Sequence, residues 1–233
     1  MKKDIVIAVA LTLALAALCP IPVSAAHINV VQNGTFESGM AHWTPWTQGP
    51  GTHSVSTVAE GMPGLAAELL NEDSGNSNNT TALRQLLTNN LEGVNCLYLS
   101  AKVRVLDQSH RSSLHLPCEF DFPAMISLQY VDVNGDLRNY RHGFYVTHTL
   151  GYVQESTHVV AGEWFDFLSP NLMDYLPFTP ALLKRVEVSG IGWDYEAQFD
   201  NVAVEICAVP EPSAFICFAA MIGALPLAIR RRK

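Results

Sequence analysis

Apolar and polar positions alternate with a period of two along much of this chain. The clearest run is Leu97 to Leu106. Leu97, Leu99, Ala101, Val103 and Val105 fall on one side; Tyr98, Ser100, Lys102 and Arg104 fall on the other. Strand side chains point alternately to two faces, so the run predicts a strand with one buried and one wet face. That is the habit of an antiparallel sheet. Ala124–Val133 and Leu137–Thr147 read as two more strands around Asn134-Gly135, a pair that tolerates positive φ at both turn positions and so predicts a hairpin. Shorter strands are expected at 27–31, 54–58, 65–70, 82–88, 152–160, 163–168, 185–189 and 195–206; the alanine- and leucine-rich 65–70 has a helix as its alternative, and 82–88 is read as a strand from its neighbours. Met173–Lys184 contains Pro177 and Pro180 and has room for a helical turn. Asn71–Thr80 and Asp107–Pro123 read as loops. Many short strands, frequent turns and no long amphipathic helix predict an all-β chain folded as a single β-sandwich.

The alternation stops at both ends. Lys2 and Lys3 precede an apolar run from Ile5 to Leu18, then Pro20, Pro22 and the small residues Val23-Ser24-Ala25. This is a secretory signal peptide over 1–25, cut after Ala25 or Ala26. At the other end, Val209-Pro210-Glu211-Pro212-Ser213 leads into an uncharged apolar run, Ala214–Ile229, and then Arg230-Arg231-Arg232-Lys233. The prolines end the preceding strand. As a transmembrane helix the run is about 24 Å long. That is slightly short of a hydrocarbon core of about 30 Å, a gap that snorkelling arginines can cover. The four cations stop transfer and favour the cytoplasmic face. The division expected is therefore 1–25, a body at 27–208, and a tail at 209–233.

The order of parts in that tail resembles the PEP-CTERM sorting signal of exported bacterial proteins. The resemblance implies passage through the secretion machinery and anchoring in the inner membrane. Removal of the tail by an exosortase-type processing enzyme follows, with delivery to the cell surface or matrix, where such proteins often accompany exopolysaccharide. Pro226, inside the apolar run, departs from the pattern and kinks or ends the helix there.

The chain has 14 Lys and Arg against 22 Asp and Glu, but the cations cluster at the ends. The exported part, through Pro212, keeps 8 cations and 21 acids, a net charge of −13. Such a body repels nucleic acid and anionic membrane. Of five cysteines, Cys19 and Cys217 lie in the two ends, leaving Cys96, Cys118 and Cys207 in an oxidising compartment. One disulfide and one spare thiol is the arithmetic expectation, with three unpaired thiols as the competitor. Cys96 and Cys207 each end a predicted strand, which favours that pair; the two pairings with Cys118 stay open.

Two stretches carry a second resemblance. Asn33-Gly34-Thr35-Phe36-Glu37, with Trp43 behind it, looks like the opening strand of jelly-roll carbohydrate-binding modules and galactose-binding-like domains. Phe199-Asp200-Asn201-Val202-Ala203-Val204 looks like their closing strand. The resemblance implies a jelly-roll sandwich whose first and last strands lie side by side. It also implies a structural calcium there, with Glu37 and Asp200 as its carboxylates; turn or backbone hydrogen bonds are the alternative role for both. Calcium takes six to eight oxygens, a number the sequence does not supply by itself. Asp132-Val133-Asn134-Gly135-Asp136 has oxygens at alternate positions, but the last acidic ligand of an EF-hand loop would fall on Gly143, so the hairpin reading wins.

A pyranose can stack its C–H face on an aromatic ring, so Trp43, Trp46, Tyr140, Tyr145, Trp164, Tyr175 and Trp193 are candidate platforms, although core packing is the commoner fate of any one. Tyr140, Arg141, Trp164 and Trp193 are the carbohydrate-binding candidates singled out. His110 and His115 share a loop with Arg111, Glu119 and Asp121, and solvation explains them most simply. No Gly-x-Ser-x-Gly elbow and no glycine-rich phosphate loop occurs. The expectation is an exported, non-catalytic sandwich that binds or organises extracellular polysaccharide. The alternatives are a small polysaccharide-active hydrolase or lyase, whose paired carboxylates would be spaced only in three dimensions, and a purely structural surface protein.

Overall fold

The alternating runs pair into two sheets. A computed structural model describes residues 26–72, 79–109, 122–147 and 155–208. The elements are β1 (Ala26–Asn29), β2 (Thr44–Gln48), β3 (Thr52–Gly61), β4 (Gly64–Glu72), β5 (Asn79–Leu86), β6 (Val94–Ser109) and β7 (Phe122–Asp132). They continue with β8 (Leu137–Tyr145), β9 (Glu155–His158), β10 (Phe165–Leu168), α1 (Leu172–Tyr175), β11 (Pro180–Gly192) and β12 (Asp194–Ala208). The first sheet runs β10-β6-β12-β4-β3, with β1 also on β12; the second runs β2-β5-β11-β7-β8-β9. β8 pairs with β9 in parallel, and the ladders along the rest of both strand orders are antiparallel.

The core lies between the sheets. Leu99, Val103 and Phe199 of the first meet Leu83, Ile126 and Val188 of the second in one buried cluster. The predicted period-two run sits in β6, where its apolar side is buried and Lys102 and Arg104 are not. Tyr195 ties the sheets together: its hydroxyl donates to the Gly190 carbonyl at 2.7 Å and accepts the Thr81 N–H at 2.8 Å. Gly190 has to be glycine, because a Cβ there would lie 2.2 Å from the Tyr195 ring. A disulfide joins Cys96 of β6 to Cys207 of β12, which face each other in register with Cα atoms 5.0 Å apart.

Several expectations change. Asn33–Glu37 is a turn, not a strand. Asn33 and Phe36 have φ of 50° and 56°, and the Asn33 side chain bonds Gly39, Ala41 and Ser38 backbone groups. Strand β2 is absent from the expected strands; it holds Pro45, and as an edge strand it tolerates the missing N–H at little cost. Strand β11 starts at Pro180, well before the expected Arg185. The Asn134-Gly135 hairpin is present: Asp132 Oδ1 accepts the Asn134 and Asp136 N–H groups at 2.8 and 3.0 Å.

Among the described residues no helix is long and apolar enough to cross a membrane. The signal peptide, the tail from Val209 onward, and most of the loop with His110, His115 and Cys118 lie outside the described residues.

Candidate functional site

Strand register lines up polar and charged side chains on the outer face of the second sheet, where Glu187, Ser127 and Ser189 are buried and Trp46, Arg84 and Arg185 are half-buried. Residues directly opposite one another share a face. One cross-sheet row is Thr44, Arg84, Glu187, Ser127 and Arg141, taken from β2, β5, β11, β7 and β8. The next row toward one end carries Leu86, Arg185, Gln129 and Asn139. The row on the other side brings Trp46, Ala82, Ser189 and Met125 into line. The inward positions of the same strands are Leu83, Val186, Leu128 and Tyr140, all buried.

Charge organises the middle of this face. Arg84 donates from Nε to Glu187 and lays its guanidinium over Trp46, 3.6 Å from the ring centroid. Cation–π contact and ion pair together fix both side chains. Arg185 Nη2 stands 3.7 Å from the same Glu187 oxygen, too far for a hydrogen bond. Arg185 Nε and Ser189 Oγ are buried without a hydrogen-bond partner.

A second polar cluster lies inside the sandwich edge. Tyr140 donates to Glu155 at 2.6 Å, and His142 sits 3.2 Å from the same carboxylate oxygen and 2.9 Å from Thr157 Oγ1. Tyr175 also bonds Glu155. Burial pushes the Glu155 carboxyl up, but the Tyr140 and Tyr175 hydroxyls and the His142 ring outweigh it and hold it below its ordinary value. Burial pushes His142 down, and Glu155 offsets this only in part. Both shifts work in one direction. A group with a depressed pKa in the fold stabilises above its unfolded pKa, and that stability is lost as pH falls. Acidification from neutral pH therefore loosens the β8–β9 edge, first as unfolded histidine takes up its proton near 6.5 and then as Glu155 does. Asp200 and Glu196, whose carboxyls are raised by burial, act in the opposite sense. The expected result is that Glu155→Gln flattens the acid limb of Tm against pH; an unchanged limb would remove Glu155 from this role.

Glu37 and Asp200 meet at the β3–β4 turn. Glu37 Oε1 accepts the Leu65 N–H at 2.9 Å, and Asp200 accepts Met62 N–H at 2.7 Å and Asn201 N–H at 2.6 Å. Asp200 is fully buried. Burial pushes its carboxyl up, the Met62 and Asn201 N–H groups pull it down, and the Glu37 charge pushes it up again. Among the described residues no Lys or Arg pairs with either carboxylate; Lys102, the nearest cation acting on Asp200, is bonded to Asp166 at 2.6 Å. Two carboxylates with spare lone pairs and no bonded cation fit a hard divalent ion chemically.

The four residues singled out for carbohydrate do not come together. Tyr140 is buried on the inner face, whereas Arg141, its neighbour in the chain, is exposed on the outer one. Trp193 is buried at the β11–β12 turn, and half-buried Trp164 precedes β10. Arg84, Arg185 and Glu187 were missed because only cross-strand register joins them to Arg141; the two-residue spacing of Arg185 and Glu187 was the one local signal.

No protein-family model matches the chain, and no curated protein does. Among solved structures it is similar to a family 11 carbohydrate-binding module from Clostridium thermocellum, solved with a β-1,3-1,4-mixed-linked tetrasaccharide. Identity is 11%, covering 81% of this chain and 99% of that one, with a TM-score of 0.45. The CBM22-1 xylan-binding domain of Paenibacillus barcinonensis Xyn10C is 13% identical over 81% of this chain and 100% of that one, at a TM-score of 0.44. The module TmCBM61, solved with β-1,4-galactotriose, is 14% identical over 76% of this chain and 97% of that one, also at 0.44.

Proposed function

We propose that this chain is an exported, non-catalytic jelly-roll sandwich that binds or organises extracellular polysaccharide on the outer face of its second sheet. The signal peptide takes it to the secretion machinery, and the PEP-CTERM-like tail holds it in the inner membrane until an exosortase-type enzyme releases it to the surface or matrix. A structural calcium at Glu37 and Asp200 belongs to the same proposal, read as a calcium-dependent rise in Tm.

The observation that carries the binding reading is the Trp46–Arg84–Glu187 group beside Arg185, Ser127 and Arg141. It sets a ring and several donors and acceptors at fixed spacings on a rigid sheet. Sugar hydroxyls need such paired donors and acceptors, and a sheet supplies them with little ordering cost. A glycan array probed with the purified chain tests it. The expected result is binding to at least one polysaccharide, weakened about tenfold or more by Trp46→Ala. Failure to retain any glycan would reject the reading.

A further inference from the structure

We infer that the polysaccharide taken by this surface is anionic, a polymer bearing carboxylates such as a uronate chain. The inference rests on the polysaccharide-binding reading and adds the charge of the ligand.

The argument starts from where the few cations go. The exported part has 8 Lys and Arg against 21 acids. Three of those cations, Arg84, Arg141 and Arg185, stand on the outer face of the second sheet by register. Among the described residues Glu187 is the only acidic side chain on that face of these strands. Among the described residues, cations thus outnumber acids on this face of a strongly negative body. The acidic remainder repels an anion, which leaves a face carrying several guanidinium groups as the favoured place for one to settle.

The state of the side chains points the same way. Glu187 pairs with Arg84 and stands too far from Arg185 to hydrogen-bond it, so one carboxylate serves two guanidinium groups. Arg185 Nε is buried with no partner, and so is Ser189 Oγ, four residues further along the same side of β11. A buried unpaired donor costs stability unless something meets it. A guanidinium edge matches a carboxylate in two parallel hydrogen bonds. Neutral glycans offer hydroxyls but leave the charge uncompensated. The side chains of Arg84 and Arg185 remain 20% and 27% exposed, so a ligand lying on the sheet reaches both.

Polygalacturonate and its fully methyl-esterified form make the test, because they share a backbone and differ in charge. The full chain is kept in non-ionic detergent, and binding is measured by affinity electrophoresis at low and high salt. Expected is binding to the acid form about tenfold or more tighter than to the ester, weakened by salt. Arg185→Gln and Arg141→Gln should each lose about 10- to 100-fold for the acid form. Glu187→Gln, which removes the one competing carboxylate, should tighten it. Lys102→Gln, on the other sheet, should change nothing. Equal binding of acid and ester overturns the inference and leaves the polysaccharide reading standing. Binding of neither, together with a blank glycan array, overturns both. Equal retention of a DNA duplex would mark an unselective anion surface and overturn the inference as well.

Discussion

Replacing both Cys96 and Cys207 by Ala should lower the unfolding free energy by about 4–5 kcal/mol, the entropy of a closed loop of this length in the unfolded chain. The two cysteines are 111 residues apart, so the loop encloses the later strands of the body, from β6 through β12. In a domain of this size the loss corresponds to a fall of about 10–18 °C in Tm. The bridge also staples β6 to β12, the two longest strands, at the end of their shared ladder. Urea unfolding of the oxidised and the reduced protein provides the check. Reduced wild type and the double variant should unfold at the same low midpoint. If oxidised and reduced wild type unfold together, the bridge contributes nothing.

Calcium should give the second large effect. Asp200 is buried beside Glu37, and its raised pKa means that the charged form costs stability as pH rises through that value. A cation bound between the carboxylates removes the cost and holds the β3–β4 turn against the start of the fold. At calcium one hundred times its Kd the gain is about 2.7 kcal/mol, or about 5–11 °C. A chelator should reverse the rise, and Asp200→Asn and Glu37→Gln should each flatten it. An identical rise in both variants would place the ion elsewhere; no rise at millimolar calcium at neutral pH would dismiss it.

The sequence was most legible where one strand suffices. Leu97 to Val105 declare their faces by alternation alone, and Asn134-Gly135 declares its hairpin by φ alone. Less could be read where a residue answers to partners far along the chain. Pro45 argues against a strand until β2 is known to be an edge. Phe36 looks like a strand residue until the Asn33 side chain is seen to hold its turn. Tyr140 and Arg141 looked like one site because they are adjacent, yet adjacency in a strand sends them to opposite faces. The Arg84–Glu187–Ser127–Arg141 row spans four strands, and no local pattern announces a register set by ladders between them.

The placement of β12 has a consequence for how the molecule comes into being. This final strand of the body lies between β6 and β4 and also carries β1. Until its 15 residues have emerged, a nascent chain holds two strand edges with an empty lane between them. Such a chain cannot close its first sheet until it has been made as far as β12. Up to that point the lane between β6 and β4 stays open, and the sheet closes late.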